Sequence, residues 1–381
     1  MIVFPMTEME TPTVLVDRKI LNENIEIVQQ IANQHQLKLR PHIKTHKSIA
    51  IANLQLAEGA VGITAAKVDE AIPFIRSGIR SITIAYPIVA PEKIDRLLLV
   101  AKEYKAKLRL IVDSLAVLNT LHVASLKHQY KIPVYLKIDV GLHRCGLDVD
   151  DPLILTLAAQ IESKAHPFLS FLGLLSHAGH AYMAPDKKAV VQIAQRELDI
   201  LRFLKQKLLA QKIKVKEVSV GATPTVLAAK SYAGVTEIRP GNYVFMDRTP
   251  LRLKLIKRKN IALTILATIV SINSKYYIID AGSKVLSSDS GGHGSTKIQG
   301  FGIAYPLSEF GQKKQALIIE KLSEEHGFIV RNTDVALTVG DKLRIIPNHA
   351  CAVVNLANML FWAEGDQVLN PLLVDARGKV Y

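Results

Sequence analysis

Short apolar runs rich in β-branched residues alternate with longer amphipathic stretches over the first two thirds of the chain. Pro91–Tyr104 is typical of these stretches, because it begins with Pro-Glu and its apolar residues recur at helical spacing. Continuous apolar runs are typical of strands that are buried on both faces of a parallel sheet. The runs are Leu37–Ile43, Val61–Ala66, Ser81–Ile88, Leu108–Ser114, Pro133–Gly141, Phe171–Gly179, Val215–Thr223 and Val235–Tyr243.

Eight strand-helix units within about 210 residues predict a (β/α)8 TIM barrel of the α/β class. A doubly wound open sheet is the alternative. No GxGxxG sequence opens a helix after the first strand, which weakens that alternative. The apolar segment Thr13–Asp17 precedes the barrel and could pair with the C-terminal domain.

The pattern changes near residue 250, where helical periodicity gives way to strands joined by turns. We therefore predict two domains, a barrel over residues 1–250 and a β-rich domain over residues 251–381. The strand-like segments of the second domain are 262–273, 275–282, 341–354, 359–368 and 371–378.

Composition indicates a folded globular protein. Of the 381 residues, 49% are hydrophobic and 22% are charged, which excludes a mainly disordered chain. No apolar run reaches the ~18 residues of a membrane-spanning helix, and the N-terminus lacks the pattern of a signal peptide. We therefore expect a cytoplasmic protein without a membrane partner. Cys145 and Cys351 cannot form a disulfide framework, and Cys145 is expected to pack.

The net charge of +14 raises the question of nucleic-acid binding. The basic residues are mostly scattered, and the densest run has no interleaved aromatic residues and no known nucleic-acid-binding motif. A solvated basic face is the favoured interpretation, so we expect no nucleic-acid partner. The densest run consists of Arg252, Lys254, Lys257, Arg258 and Lys259.

The active site of such a barrel lies at the C-terminal ends of its strands. The predicted strand ends are rich in Lys, Arg, His, Thr and Gly, which suits an anionic phosphate. The segments 221–225 (GATPT) and 239–243 (RPGNY) predict a phosphate cradle, because glycine lets backbone N–H groups approach a ligand. The same residue types also make ordinary turns.

Lys44 directly follows the first barrel strand. The flanking cations Arg40 and Lys47 would help to lower its pKa, and a neutral lysine at this place could form a Schiff base. A surface lysine is the alternative. His42 and His46 are four residues apart, a spacing that binds metal on a helix, but the strand context disfavours a metal here.

His349 and Cys351 form a second candidate site. On a strand, residues i and i+2 point to the same side, so we expect the imidazole and the thiol to share one face. Two such ligands make half of a zinc site and leave positions open for a substrate. A core histidine beside a buried thiol is the alternative interpretation.

Eight motifs that occur in order from residue 40 to residue 356 resemble one family. They are RPHIKTHK, KIDVGLHRCG, GLLSHAGHAY, VSVGATPT, TEIRPGNYVF, DAGSKVLSSD, LSEEHG and PNHACAVVNL. The set resembles the D-serine dehydratase and D-threonine aldolase family, the metal-dependent branch of alanine racemase-like (fold type III) pyridoxal-phosphate enzymes. The resemblance extends over nearly the whole chain.

The resemblance implies a role for each matching residue. Lys44 would bind pyridoxal phosphate as a Schiff base, and Arg144 would face its phenolic oxygen. His177 would pack against the cofactor ring with Tyr182 nearby, and Arg239 would face the pyridine nitrogen. The implied phosphate cradle is Gly221, Thr223, Gly241 and Asn242. The implied metal ligands are His349 and Cys351, with zinc expected and manganese also suitable.

The resemblance further implies a lyase that acts on D-3-hydroxy amino acids, with Lys44, His349 and Cys351 as catalytic residues. The His-x-Cys pair is similar to the dehydratase pattern, whereas aldolases of the family have His and Asp there. D-serine dehydratase chemistry is therefore the first expectation and D-threonine aldolase chemistry the second. A racemase and a non-enzymatic cofactor carrier are further alternatives, although carriers of this barrel type lack the β-rich domain. The resemblance also implies a homodimer.

Overall fold

The computed structural model describes residues 3–292, 298–312, 315–331 and 335–381. Met1 and Ile2, the first residues of the N-terminal segment considered above, lie outside these ranges. Two sheets organise the described residues, one of eight parallel strands and one of ten strands with mainly antiparallel pairing. In the described part of the chain, no helix combines the length and apolar character that a membrane crossing needs.

The parallel sheet is a barrel. Its strands are β3 (Lys38–Leu39), β4 (Ile63–Ala65), β5 (Ser81–Ile84), β6 (Lys107–Val112), β7 (Ile132–Lys137), β8 (Leu169–Leu175), β9 (Glu217–Val220) and β10 (Glu237–Ile238). The order runs from β4 to β10 and then to β3. A parallel bridge between His42 and Thr64 joins the two ends and closes the circle. The predicted (β/α)8 architecture is confirmed, and each predicted apolar run overlaps one of these strands.

Helices connect the barrel strands. They are α1 (Arg18–Gln34), α2 (Ile49–Ala57), α3 (Val68–Arg76), α4 (Pro91–Glu103), α5 (Leu115–His128), α6 (Leu153–Ile161), α7 (Lys187–Ala210), α8 (Thr223–Ala228) and α9 (Arg248–Arg252). Side-chain caps define where several of them begin. The Asp17 carboxylate accepts the Ile20 N–H at 3.0 Å, and the Asp247 carboxylate accepts the Thr249 N–H at 3.0 Å.

Side chains of the barrel strands alternate between the interior of the barrel and the layer beneath the helices. In β7, Tyr135 packs inside with Ile111 and Leu175, whereas Val134 and Leu136 join the main core under the helices. This double burial explains why the strand is apolar along its length rather than alternating with polar residues.

The second sheet is built around the long strand β11. Its strands are β1 (Phe4–Pro5), β2 (Thr13–Asp17), β11 (Leu263–Ile272), β12 (Tyr276–Ile279), β13 (Gly302–Pro306), β14 (Leu317–Leu322), β15 (Gly327–Val330), β16 (Lys342–Pro347), β17 (Met359–Glu364) and β18 (Gln367–Leu373). β11 pairs with both β12 and β16, so β11, β12, β15, β14, β13 and β16 form a closed ring. β2 pairs with β11 and β17, so the N-terminal strand belongs to this sheet.

Two short helices, α10 (Ser283–Leu286) and α11 (Ala350–Leu356), interrupt the second sheet. The expectation that residues 341–354 form one strand is therefore wrong beyond Pro347. Ala350, Val353 and Val354 are buried at i, i+3 and i+4, which is the spacing of a helix face. The Asp247 carboxylate also accepts the Ala350 N–H at 3.1 Å and so satisfies the first donor of α11.

Candidate active site

A cavity of about 220 Å³ lies between the C-terminal ends of the barrel strands and the start of α11. Four barrel segments contribute to it, namely those that follow β3, β8, β9 and β10. The β-rich domain contributes the start of α11. The lining residues are His42, Lys44, Thr45, His177, Tyr182, Ala222, Thr223, Arg239, Gly241, Asn242, His349 and Cys351.

Most of the residues predicted for the site line this cavity, and Arg144 and Gly221 do not. Arg144 is exposed, yet its charge reaches the cavity and acts to lower the pKa of Lys44. Gly221 lies behind the wall, where its carbonyl oxygen is 3.2 Å from His177 Nδ1.

Lys44 lies in a 3-10 turn, Ile43–Thr45, directly after β3. Burial lowers the pKa of its amino group, Cys351 opposes that shift, and Arg144 adds to it. The expectation that Arg40 and Lys47 depress this pKa is wrong. The Arg40 guanidinium pairs with Glu237 at 2.7 Å, and the Lys47 amino group pairs with Glu70 at 2.7 Å, so carboxylates neutralise both cations.

His42 and His46 do not form a metal pair. The His46 ring is fully buried, its Nδ1 accepts the Ser48 N–H at 3.1 Å, and burial lowers its pKa to about 3. His42 lines the cavity, where burial and then the charge of Lys44 hold its pKa well below the ordinary value. Both rings are therefore neutral near pH 7.

The cavity has an end that fits a phosphate group. A Cβ atom on Gly241 would lie 2.9 Å from both the His42 carbonyl oxygen and Thr45 Oγ1, so only glycine allows this approach. The backbone N–H groups of Gly241 and Asn242 have no acceptor in the described part of the chain, and they begin the 3-10 turn Asn242–Val244. The Asn242 side-chain amide donates to Asp247 at 2.9 Å, which holds this turn in place. Free N–H groups at the start of a helical turn bind anions.

Arg239 and Tyr182 are both buried beside the cavity. The Arg239 guanidinium donates to the Ser219 hydroxyl and, at 2.5 Å, to the Ser176 carbonyl oxygen, so it is anchored on β9 and at the end of β8. Burial raises the pKa of Tyr182 above its ordinary range, so its hydroxyl stays protonated. Gly292 packs against the Tyr182 ring, where a Cβ atom would lie 2.9 Å from Cδ1.

His349 and Cys351 lie at the start of α11 rather than on a strand, and their side chains are still near enough for each to shift the pKa of the other. Burial acts to lower the pKa of His349, but Cys351 and the Asp289 carboxylate raise it well above the ordinary value. Burial acts to raise the pKa of Cys351, but the adjacent His349 lowers it. Cys351 Sγ also lies 3.2 Å from Thr45 Oγ1. These contacts favour the thiolate, the form of cysteine that binds metal, and an imidazole beside a thiolate suits zinc.

Three contributors were missed in the sequence analysis. Thr45 contacts Cys351, Asp247 joins the Asn242 turn to the start of α11, and Asp289 contacts His349. Asp289 lies within the family motif DAGSKVLSSD and Thr45 within RPHIKTHK. Membership of these motifs is the one signal in the sequence that could have identified the two residues.

Two protein-family models match the chain. The model for the alanine racemase N-terminal domain matches residues 16–249, and the model for a putative serine dehydratase domain matches residues 262–363. The first match covers more than half of the chain, and both follow the division between the barrel and the β-rich sheet.

Known proteins match over nearly the full length. D-threo-3-hydroxyaspartate dehydratase from Delftia sp. (strain HT23) is 32% identical over 90% of this chain and 91% of that protein. D-threonine aldolase from Arthrobacter sp. is 29% identical over 98% of this chain and 94% of that protein. D-serine dehydratase from Dictyostelium discoideum is 30% identical over 91% of each chain.

Two solved structures of D-threo-3-hydroxyaspartate dehydratase variants share the fold. One, with alanine in place of a cysteine and in the metal-free form, has a TM-score of 0.88 at 30% identity and covers 97% of this chain and 99% of that one. The other, with alanine in place of the histidine two positions earlier, has a TM-score of 0.89 at 30% identity and covers 97% of this chain and 96% of that one. The family resemblance and the expectation of a lyase are confirmed. The chain belongs to the D-serine dehydratase and D-threonine aldolase family of alanine racemase-like (fold type III) pyridoxal-phosphate enzymes.

Proposed function

We propose that the protein is a pyridoxal-phosphate- and metal-dependent lyase that converts D-serine to pyruvate and ammonia. The observation that carries this proposal is the meeting of the His349/Cys351 pair with Lys44 in one cavity. A buried amine and a pair of metal ligands can act on the same small substrate, one at Cα and the other at the 3-hydroxyl. Family membership supports the same chemistry.

We propose that the cavity holds pyridoxal phosphate through Lys44. The free N–H groups of Gly241 and Asn242 would bind the phosphate, together with Gly221 and Thr223. The residues proposed around the cofactor ring are Arg144, His177, Tyr182 and Arg239. Pyridoxal phosphate, when bound, supplies an electron sink for negative charge that develops at the substrate Cα.

We propose that His349 and Cys351 hold a divalent metal, with zinc as the first choice because imidazole and thiolate are preferred zinc ligands. A divalent metal supplies a Lewis acid for the substrate hydroxyl. The metal-free form of the relative in which a cysteine was replaced supports this assignment. Two protein ligands leave open positions, which a catalytic metal needs.

The side chains of the chain have separate tasks in this proposal. Lys44, whose pKa is lowered by burial, takes the proton from the substrate Cα. The neutral His42 ring lines the same cavity without adding a charge beside Lys44. The anchored Arg239 guanidinium keeps its side of the cavity fixed, and the protonated Tyr182 hydroxyl adds no negative charge to the cavity.

Dehydration is the first candidate because the His349/Cys351 pair resembles the His-x-Cys pattern of the dehydratases in this family. D-threonine aldolase activity is the second candidate, since an aldolase of the family is 29% identical over 98% of this chain. Dehydration would remove the Cα proton and release the hydroxyl, whereas retro-aldol cleavage would remove the proton of the hydroxyl and break the Cα–Cβ bond.

Product analysis with D-threonine separates these candidates. Protein loaded with pyridoxal phosphate and zinc is incubated with D-threonine, and the products are identified by chromatography. We expect 2-oxobutyrate and ammonia. Glycine and acetaldehyde would instead establish the aldolase, and another threonine stereoisomer would establish a racemase. A matched incubation with Lys44→Ala protein gives the background rate.

We further propose a cytoplasmic homodimer that acts on small D-amino acids, as the family resemblance implies. Sedimentation equilibrium on the loaded protein measures the mass directly. A monomer at micromolar concentration would contradict the proposed dimer and would leave the lyase proposal to its own test.

A further inference from the structure

A carboxylate from a distant loop contacts the His349 ring. Asp289 follows α10 and is separated from His349 by 60 positions, yet its Oδ2 lies 2.7 Å from His349 Nδ1. The Asp289 side chain is half exposed and the His349 side chain is 22% exposed, so the contact lies at the edge of the cavity.

The contact uses one edge of the imidazole and leaves the other edge for a metal. A carboxylate acceptor at Nδ1 favours the tautomer with the proton on Nδ1, and Nε2 then carries the free lone pair. Cys351 lines the same cavity as this ring. The Nε2 and Sγ atoms are therefore the two ligand atoms that the chain offers here.

Asp289 itself is not a third ligand of this pair. Among the described residues, no set of three ligand atoms that includes both His349 and Cys351 lies within the mutual 4.8 Å that one ion requires. The carboxylate can act on a metal only through the imidazole between them.

The position of Asp289 is set by the residue next to His349. Asn348 is 1% exposed, and its amide donates to the backbone carbonyl oxygens of Asp289 at 3.1 Å and of Gly300 at 2.8 Å. Arg248 donates to the Asn348 amide oxygen at 2.7 Å and so fixes the orientation of that amide. The backbone of Asp289 is thus tied to the residue next to His349, and this tie keeps the carboxylate within reach of the imidazole, as the orientation of a metal ligand requires.

We propose that Asp289 is the positioning residue of the metal site: it holds His349 with Nδ1 protonated and Nε2 turned toward Cys351. This inference rests on the proposed metal-dependent function. It predicts that Asp289 tunes metal affinity without touching the substrate or the pyridoxal phosphate.

Zinc affinity of the pyridoxal-phosphate-loaded protein tests the inference. Metal-stripped wild type, Asp289→Ala and Asp289→Asn are titrated with zinc against a chromophoric chelator. We expect affinity to fall about 10–100-fold in Asp289→Ala. We expect a smaller loss in Asp289→Asn, whose amide oxygen still accepts the Nδ1–H. Asp199→Asn, on the exposed face of α7, is the matched control and should bind zinc like the wild type.

Two further readouts separate positioning from general damage. Cofactor absorbance and the thermal midpoint should match the wild type, and excess zinc should restore kcat in Asp289→Ala with a raised half-saturating zinc concentration. Unchanged zinc affinity in both Asp289 variants would overturn the inference alone. A loss of kcat that excess zinc does not restore would also overturn it, because Asp289 would then act elsewhere. A wild-type protein that binds no zinc would overturn the zinc-dependent function together with it.

Discussion

Two buried contacts inside the barrel and one buried amine at its mouth differ in whether a carboxylate accompanies the polar group. In the interior, Arg40 pairs with Glu237 at 2.7 Å and Tyr135 donates to Glu217 at 2.5 Å. At the mouth, Lys44 has no salt bridge to any of the described residues, and its pKa is lowered. Buried charges that are paired hold a fold together, whereas a buried amine without a carboxylate is available for chemistry.

Two lysines in one short segment show the contrast most directly. Lys47 is 5% exposed and pairs with Glu70, whose second oxygen accepts the Ala66 N–H at 2.6 Å. Lys44 points instead into the cavity that Cys351 also lines. Three positions along the chain therefore separate a structural cation from a candidate catalytic amine.

The largest effect is expected from Lys44→Ala. The proposed lyase activity should fall at least about 10³-fold, because the variant lacks the amine that binds the cofactor and moves the Cα proton. Thermal stability should change little, because Lys44 makes no ion pair to lose in the described part of the chain. Steady-state assays and thermal melts measure the two quantities. A variant that keeps a tenth of the activity would contradict the role of Lys44.

Lys47→Met should show the reverse pattern. It leaves the buried Glu70 without its partner, so the free energy of unfolding should fall by about 3–5 kcal/mol. Urea unfolding monitored by circular dichroism measures this. The double variant Lys47→Met/Glu70→Gln should regain part of the loss, because it removes the orphaned charge and keeps an acceptor for the Ala66 N–H. A double variant as unstable as the single one would show that packing, and not charge, governs this site.

Gly241→Ala tests the cradle at the mouth by steric means alone. Its added Cβ would lie 2.9 Å from the His42 carbonyl oxygen and Thr45 Oγ1, and such overpacking costs about 1–3 kcal/mol. We expect that cost to appear as weaker binding of pyridoxal phosphate, measured by fluorescence titration. Gly311→Ala is the control, because nothing lies within 4 Å of its added Cβ. Equal affinity for pyridoxal phosphate in the two variants would contradict the proposed phosphate cradle at Gly241.

Much of the fold could be predicted because strands buried on both faces leave a strong apolar signal. Every barrel strand overlaps its predicted run and is shorter than it, although β6, β7 and β8 begin one or two residues before their runs. The segment after Pro347 was misassigned because a short apolar run rich in valine suits a strand and a buried helix equally well. Tertiary contacts decide between them, here the Asp247 carboxylate at the first N–H of α11.

The candidate site was predicted less completely, because its geometry depends on contacts between residues far apart in the chain. The lowered pKa of Lys44 was expected from its neighbours Arg40 and Lys47, but partners that the sequence does not reveal neutralise both. Asp289 lies in a family motif, but nothing in the sequence links it to His349, which is 60 positions away. A motif identifies which residues matter, and only the folded chain shows which of them touch.

The smallest effect is expected at Asp69, the neighbour of Glu70 in the sequence. Asp69 pairs with Arg96 at 2.8 Å, but the two side chains are 21% and 43% exposed. Asp69→Asn should lower the free energy of unfolding by at most about 1 kcal/mol, because water and salt already screen such a pair. Urea unfolding at low and at high salt measures the loss, which should shrink as salt rises. Adjacent carboxylates would then differ several-fold in their contribution to stability through burial alone. If Asp69→Asn lowered the free energy of unfolding as much as Lys47→Met, ion pairing and not burial would determine how much stability each substitution removes.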